Sequence, residues 1–187
     1  IVFHIPHSST FIPEDIRSDI LLSDKELVAE IQLMTDWYTD ELFDQAVSYL
    51  GYSIEFPVSR LVVDPERFAD DESEGMSEVG MGVIYTKTSS GKPLRDPSKI
   101  ISDSRTQLLD HFYYPHHDSL TGAVSSELDE EGRVLIIDCH SFPDEPLPYE
   151  RCQSQDRPEI CIGTDPYHTP EELISNLKSS FESLGYN

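Results

Sequence analysis

The chain has 187 residues, of which 37% are hydrophobic and 10% aromatic, enough for one folded domain with a sizeable core. Its 13 Lys and Arg against 36 Asp and Glu give a formal net charge of −23, which excludes phosphate-backbone recognition and argues against docking on an anionic membrane. No apolar run approaches the roughly 20 residues that span a bilayer.

Along the chain, Ile1 to Ile5 reads as a short apolar strand, closed by Pro6-His7-Ser8-Ser9. Ser23 and Glu26 make a capping box, after which Leu27, Ile31, Met34, Tyr38 and Leu42 recur at helical spacing. This predicts one helix running to Leu50, with Gly51 as its stop. Tyr52 to Val58 alternates and reads as a strand, while Arg60 to Asp64 and Val83 to Thr86 are candidates for further short ones. Between them, residues 69–82 are acidic and glycine-bearing and read as a loop. Asp96 and Pro97 suit the start of a second helix, with Ile100, Ile101, Leu108, Leu109 and Phe112 on its buried face. Pro115 should break or kink it before the pattern resumes from Leu120 to Leu128.

Gly132 to Ser141 follows, and its four aliphatics Val134 to Ile137 predict a strand buried on both faces, in the middle of the sheet. A proline-rich loop spans 143–158, a strand is expected at Glu159 to Gly163, and Thr169 caps a last helix reaching Leu184. Leu173, Leu177, Phe181 and Leu184 form that helix's apolar stripe. Strands alternating with helices predict an α/β sandwich around a mostly parallel or mixed sheet, in a single domain across 1–187. Cys139, Cys152 and Cys161 show no metal or disulfide spacing and point to a reducing, cytoplasmic setting. Cys139 reads as a small buried hydrophobe rather than a nucleophile.

Two His-Ser pairs each follow an apolar strand: His7-Ser8 and His140-Ser141. Open α/β sheets place their ligands at the carboxyl ends of strands, so these imidazoles are expected to meet over one site. A hydrolytic zinc site keeps about three protein ligands and an open position. His7 and His140 supply two, and Asp36, beside Trp37 on an amphipathic helix, is the candidate for the third, its alternative being a solvated helix carboxylate. Arg60 and Arg67 flank the Leu61-Val62-Val63-Asp64 run, and their forks suit either a substrate carboxylate or local acidic partners. Arg95 is a further candidate of the same kind. His116 and His117 are adjacent, so at most one faces a site, and a packing or hydrogen-bonding role is expected; His4, His111 and His168 are assigned no role. Ser8 and Ser141 lack the G-x-S-x-G elbow of a serine hydrolase.

Taken together, Pro6-His7-Ser8-Ser9, the Asp36 to Phe43 segment, Val58-Ser59-Arg60 through Arg67, and Asp138-Cys139-His140-Ser141 resemble the N-formylglutamate amidohydrolase family. The resemblance implies a three-layer fold like that of the zinc carboxypeptidases and aspartoacylases. It implies one Zn2+ per chain and metal-dependent cleavage of an N-acyl amino acid such as N-formylglutamate. His7 and His140 inherit a metal role, Asp36 is carried over as the third ligand, and Arg60 and Arg67 inherit binding of the substrate carboxylate. Two departures stand out. The family often has Asn before the second arginine, where this chain has Glu66, an anion that would repel a substrate carboxylate. The family also uses a late glutamate as general base, and no match precedes Asn187, so the base is unassigned: either it lies elsewhere in the chain or a further C-terminal segment carries it. The alternatives are a related zinc acylase or peptidase with another acyl group, and a non-catalytic relative that binds a small acidic ligand.

Overall fold

The structure is a computed structural model that describes residues 1–100 and 102–186. Ile101, expected on the buried face of the second helix, lies outside the described residues. The described residues form two compact units: residues 1–100 and 102–143 with 147–149, and residues 144–146 with 150–186.

The first unit is α/β. Its strands are β1 (Val2–Ile5), β2 (Tyr52–Glu55) and β3 (Ile136–Asp138), all parallel, in the order β2-β1-β3. Parallel neighbours require long crossovers. Helices α1 (Glu14–Arg17), α2 (Asp24–Met34) and α3 (Thr39–Leu50) lie on the first crossover, and α4 (Ser102–Leu108) and α5 (Tyr114–Glu131) on the second. All three strands therefore present their carboxyl ends on the same side, where the expected site residues follow β1 and β3.

Several expectations are corrected. The central strand is β1, whose four residues are all buried; β3 lies at the edge, with Ile136 46% exposed. A run of aliphatics reports hydrophobicity, not the number of strand neighbours, and only 136–138 pair. The long helix is two helices. The capping box of Ser23 and Glu26 forms as read, but α2 ends at Met34 and α3 starts at Thr39, with Tyr38 in the left-handed region (φ 64°). Helical spacing continued across the gap and concealed it.

The segments at Arg60 to Asp64, Val83 to Thr86 and Glu159 to Gly163 are not strands. Leu61, Val62 and Val63 are nonetheless fully buried, Leu61 packing with Met81, Tyr85 and Leu94, and the two valines with Phe56, Val58 and Val83. A buried irregular segment must still satisfy its polar backbone. Val62 N–H bonds the Ser59 carbonyl, Asp64 N–H bonds the Val83 carbonyl, and Arg95 donates to the carbonyls of Tyr85 (2.9 Å) and Val62 (3.5 Å).

Before Pro115 the helix widens into a π turn, Leu109–Tyr113, and α5 continues from Tyr114. Pro115 has no N–H to give the preceding turn, and the wider turn accommodates this without ending the helix. In the second unit, α6 (Glu171–Ser183) follows Pro170, and none of its residues is fully buried; Thr169, expected as its cap, instead accepts from Asp165 N–H. Among the described residues, no helix is long and apolar enough to cross a membrane.

Gly51 ends α3 where the chain passes against Ile1. A Cβ built on Gly51 would lie 1.8 Å from the Ile1 carbonyl oxygen, which also receives the Tyr52 N–H at the start of the β1–β2 ladder. Gly51→Ala should cost about 1–3 kcal/mol of stability, the usual range for overpacking. The check is a lower urea midpoint with an unchanged m-value.

Candidate functional site

The break between α2 and α3 builds one wall of the site. Asp36 N–H donates to the His7 carbonyl (3.0 Å), Thr39 Oγ1 donates to the Asp36 carbonyl (2.9 Å), and Ser141 Oγ donates to the Trp37 carbonyl (2.9 Å). The segment 35–38 is thus tied to the loops after β1 and β3. Asp36 is held there as irregular backbone rather than as part of a helix face.

The structure brings His7, Asp36 and His140 together. His140 Nδ1 lies 2.8 Å from Asp36 Oδ2, and the rings of His7 and His140 are 5.4 Å apart. His140 Nε2 lies 3.1 Å from Glu66 Oε1 and 3.6 Å from Asp138 Oδ2. His7 Nε2 lies 3.0 Å from Asp64 Oδ1, which assigns its proton to that nitrogen. His7 Nδ1 is buried and makes no hydrogen bond; its neighbours are Glu66 Oε2 at 3.4 Å and Asp36 Oδ2 at 3.7 Å. A lone pair facing two carboxylates is unfavourable unless a proton or a cation lies between them.

Asp64 lies beneath these groups and is fully buried. Its Oδ1 accepts from His7 Nε2 and from the Glu66 N–H (3.0 Å); its Oδ2 accepts from Arg60 Nη2 (2.8 Å), Arg60 Nε (3.2 Å) and the Tyr85 hydroxyl. Arg60 is committed to this carboxylate and approaches Asp36 only at 3.8 Å. Arg67 differs: its Nε is buried without a hydrogen bond and lies 3.7 Å from Asp64 Oδ2. Arg95 is buried apart from this cluster on the Tyr85 and Val62 carbonyls, and burial lowers its pKa to about 10.

Charge coupling orders the titrations. Burial opposes charge on His140, but bonds to Asp138, Asp36 and Glu66 outweigh it and push the imidazole up to about 12. Burial and Arg60 oppose charge on His7, and Asp64 and Asp36 more than offset them, so its pKa is raised. Burial would raise Asp64, yet Arg60 and His7 hold it well below the usual carboxylate range. Asp36 is lowered likewise, with His140 and His7 overcoming its burial. Cys139 is pushed up to about 12 by burial and by Asp138, so its thiol stays protonated at neutral pH.

Two sets of three ligand-bearing side chains have their donor atoms within 4.8 Å of one another: His7, Glu66 and His140, and His4, Glu66 and Asp138. Sequence reasoning did not select Glu66, Asp64 or Asp138 as site residues. Asp64 carried one signal, an acid closing an apolar run before Pro65. Glu66 stands out in the sequence only as an anion beside the second arginine.

A sequence profile of the N-formylglutamate amidohydrolase family matches residues 1–187. N-formylglutamate deformylase of Pseudomonas putida is 22% identical over 143 residues, covering 76% of this chain and 51% of the relative. The chain therefore spans about half the length of that curated relative. The crystal structure of N-formylglutamate amidohydrolase from Ralstonia eutropha JMP134 superposes with a TM-score of 0.61 at 24% identity, over 76% of this chain and 54% of that one. This likeness supports the fold.

Asp64→Asn should cost about 3–5 kcal/mol at pH 7, because it removes the hydrogen-bonded counter-ion of the buried Arg60 and leaves only Asp36 at 3.8 Å. The depressed folded-state pKa of Asp64 stabilises the protein above the ordinary value of 3.8, and this contribution is lost as pH falls below it. The gap between wild type and Asp64→Asn should therefore shrink as pH is lowered below 3.8. Urea titrations at pH 7 and at successively lower pH measure it.

Proposed function

The chain belongs to the N-formylglutamate amidohydrolase family, and we propose that it forms the metal site of a hydrolase that cleaves N-formyl amino acids such as N-formylglutamate. The observation that carries this reading is the convergence of His7, Glu66 and His140 around the unpartnered, buried Nδ1 of His7. The donor set suits zinc: two imidazoles and a carboxylate. Charge supports it as well. With His7 and His140 neutral, as metal ligation requires, Asp36, Asp64, Glu66 and Asp138 set four carboxylates against the two guanidiniums of Arg60 and Arg67, an excess that one divalent cation would neutralise in place of the imidazole protons.

In this reading His7, Glu66 and His140 hold the ion. Asp36, the carboxylate that the sequence offers as third ligand, fits better as the acceptor that orients His140 through Nδ1, as Asp64 orients His7 through Nε2. When bound, zinc supplies Lewis acidity toward the acyl carbonyl and acidifies its water toward a pKa of ~7. Arg67, whose side chain is 22% exposed and which is less committed to Asp64 than Arg60 is, receives the substrate carboxylate. Arg60 acts on the substrate indirectly, by fixing Asp64 and leaving only its remaining reach for an anion. The parallel sheet with its site at the carboxyl ends supports the three-layer, zinc-carboxypeptidase-like architecture, and the three free thiols support a cytoplasmic setting.

Elemental analysis should give about one zinc per chain, with His140→Ala and Glu66→Ala each losing most of it. Full occupancy in Glu66→Ala would return the third position to Asp36. In hydrolysis of N-formylglutamate, Arg67→Ala should raise KM by roughly 10- to 150-fold, the equivalent of about 1.5–3 kcal/mol for a lost charged hydrogen bond. Lys at 67 should rescue poorly, because it lacks the fork. Equal turnover of an uncharged N-formyl amide would refute the carboxylate role.

A further inference from the structure

Two buried histidines lie behind the site, and the reading above gives them no role. His4 is the third residue of β1 and is register-paired with Asp138 of β3. In a parallel pair such residues point to the same face, and His4 Nδ1 meets Asp138 Oδ1 at 2.7 Å. The other ring nitrogen, His4 Nε2, lies 2.8 Å from His116 Nε2. His116 sits in the first turn of α5, directly after the π turn, with Phe56 edge-on to its ring. Both imidazoles are buried, whereas Asp138 is 51% exposed and turns its other oxygen toward His140 Nε2 at 3.6 Å.

Proton accounting fixes the polarity of this chain. A nitrogen–nitrogen contact of this length requires one proton between the rings. The contact with Asp138 requires another on His4 Nδ1. With both rings neutral, His116 Nε2–H donates to His4 Nε2, and His4 Nδ1–H donates to Asp138. An extra proton would make His4 an imidazolium that donates in both directions. In either state Asp138 Oδ1 is an acceptor for His4. Burial, followed by the proximity of His4, His117 and His7, lowers the His116 pKa to about 3, in keeping with a neutral ring there.

Burying two imidazoles costs desolvation that an apolar pair would avoid, and Phe56, edge-on to His116 and packed with Val58 and Leu109, shows that this core accepts apolar side chains. What the histidines add is a direction for Asp138. We propose that His4 and His116 are positioning residues: a two-imidazole strut that fixes Asp138 through Oδ1, so that its other carboxylate oxygen is held beside His140 Nε2, facing the position where His7, Glu66 and His140 would hold the ion. The inference rests on the metal reading for its purpose, and on the hydrogen-bonded chain itself for its existence.

The test uses the whole chain with two variants. His116→Leu removes the ring nitrogen, while His116→Gln restores an N–H donor at a similar reach. Zinc affinity is measured by competition with a chelator, at a temperature where every variant is folded. Outer partners that hold the side chains around a metal, carboxylates included, typically contribute 10–100-fold in affinity. The strut predicts a weakening of at least 10-fold in His116→Leu and recovery of most of it in His116→Gln. A packing role alone would lower the melting temperature of His116→Leu and leave the affinity of the folded protein unchanged, which would overturn the proposal. A second readout needs no metal. Long-range imidazole 15N spectra of the metal-free chain should show His4 protonated at Nδ1, with the His140 signals displaced in His116→Leu and near wild type in His116→Gln. A neutral His4 carrying its proton on Nε2, or His140 signals unmoved in His116→Leu, would overturn the strut. If wild type binds no zinc, the metal reading fails, and the 15N spectra still decide the strut.

Discussion

The fully buried carboxylate of Asp64 is the constraint on which the site depends. A charge taken out of water is tolerated only when its lone pairs are occupied, and this one accepts from His7, Arg60, Tyr85 and the Glu66 backbone. Each of these bonds has a structural consequence. The bond to His7 orients a ring whose other nitrogen faces the site. The bond to Glu66 N–H turns the chain so that the Glu66 side chain reaches His140. The bonds to Arg60 and Tyr85 fasten the irregular 58–67 segment to the core beneath it. Removing the carboxylate would disturb all of these together, so stability and site geometry are coupled at one residue.

From that centre the arrangement extends through the sheet. Three parallel strands align their carboxyl ends, and the loops after β1 and β3 deliver His7 and His140 to the same place. The interruption between α2 and α3 supplies Asp36 and is itself tied to both loops by backbone acceptors. Tyr38 adopts a left-handed backbone conformation there, a strained state for a residue with a Cβ and one often found beside functional sites. Carboxylates outnumber arginines around the two rings.

The histidines at the strand ends were legible because an imidazole just after a buried apolar run has few structural duties, and two such runs agreed. The α/β class was legible from alternating patterns. The position of β3 was not, because four aliphatics in a row look the same at an edge as in the centre. Leu61 to Asp64 read as a strand for a related reason: a buried coil is as apolar as a buried strand, and only the partners of its backbone distinguish them. Asp64 and Glu66 were hidden within that misreading. Asp36 was selected, though from a helix face that the structure does not contain. His4 was passed over because a strand buried on both faces has no alternation to mark a polar residue as unusual.

In the proposed site His7, Glu66 and His140 together bind one divalent cation. The most direct measurement is a crystal structure of the zinc-loaded chain with anomalous differences recorded at the zinc edge. One strong peak is expected, bonded to His7 Nδ1, to the Glu66 carboxylate and to His140 Nε2, with Asp36 still on His140 Nδ1. A peak at Cys152, Cys161 or the exposed Asp165–His168 pair, with none between His7 and His140, would contradict it.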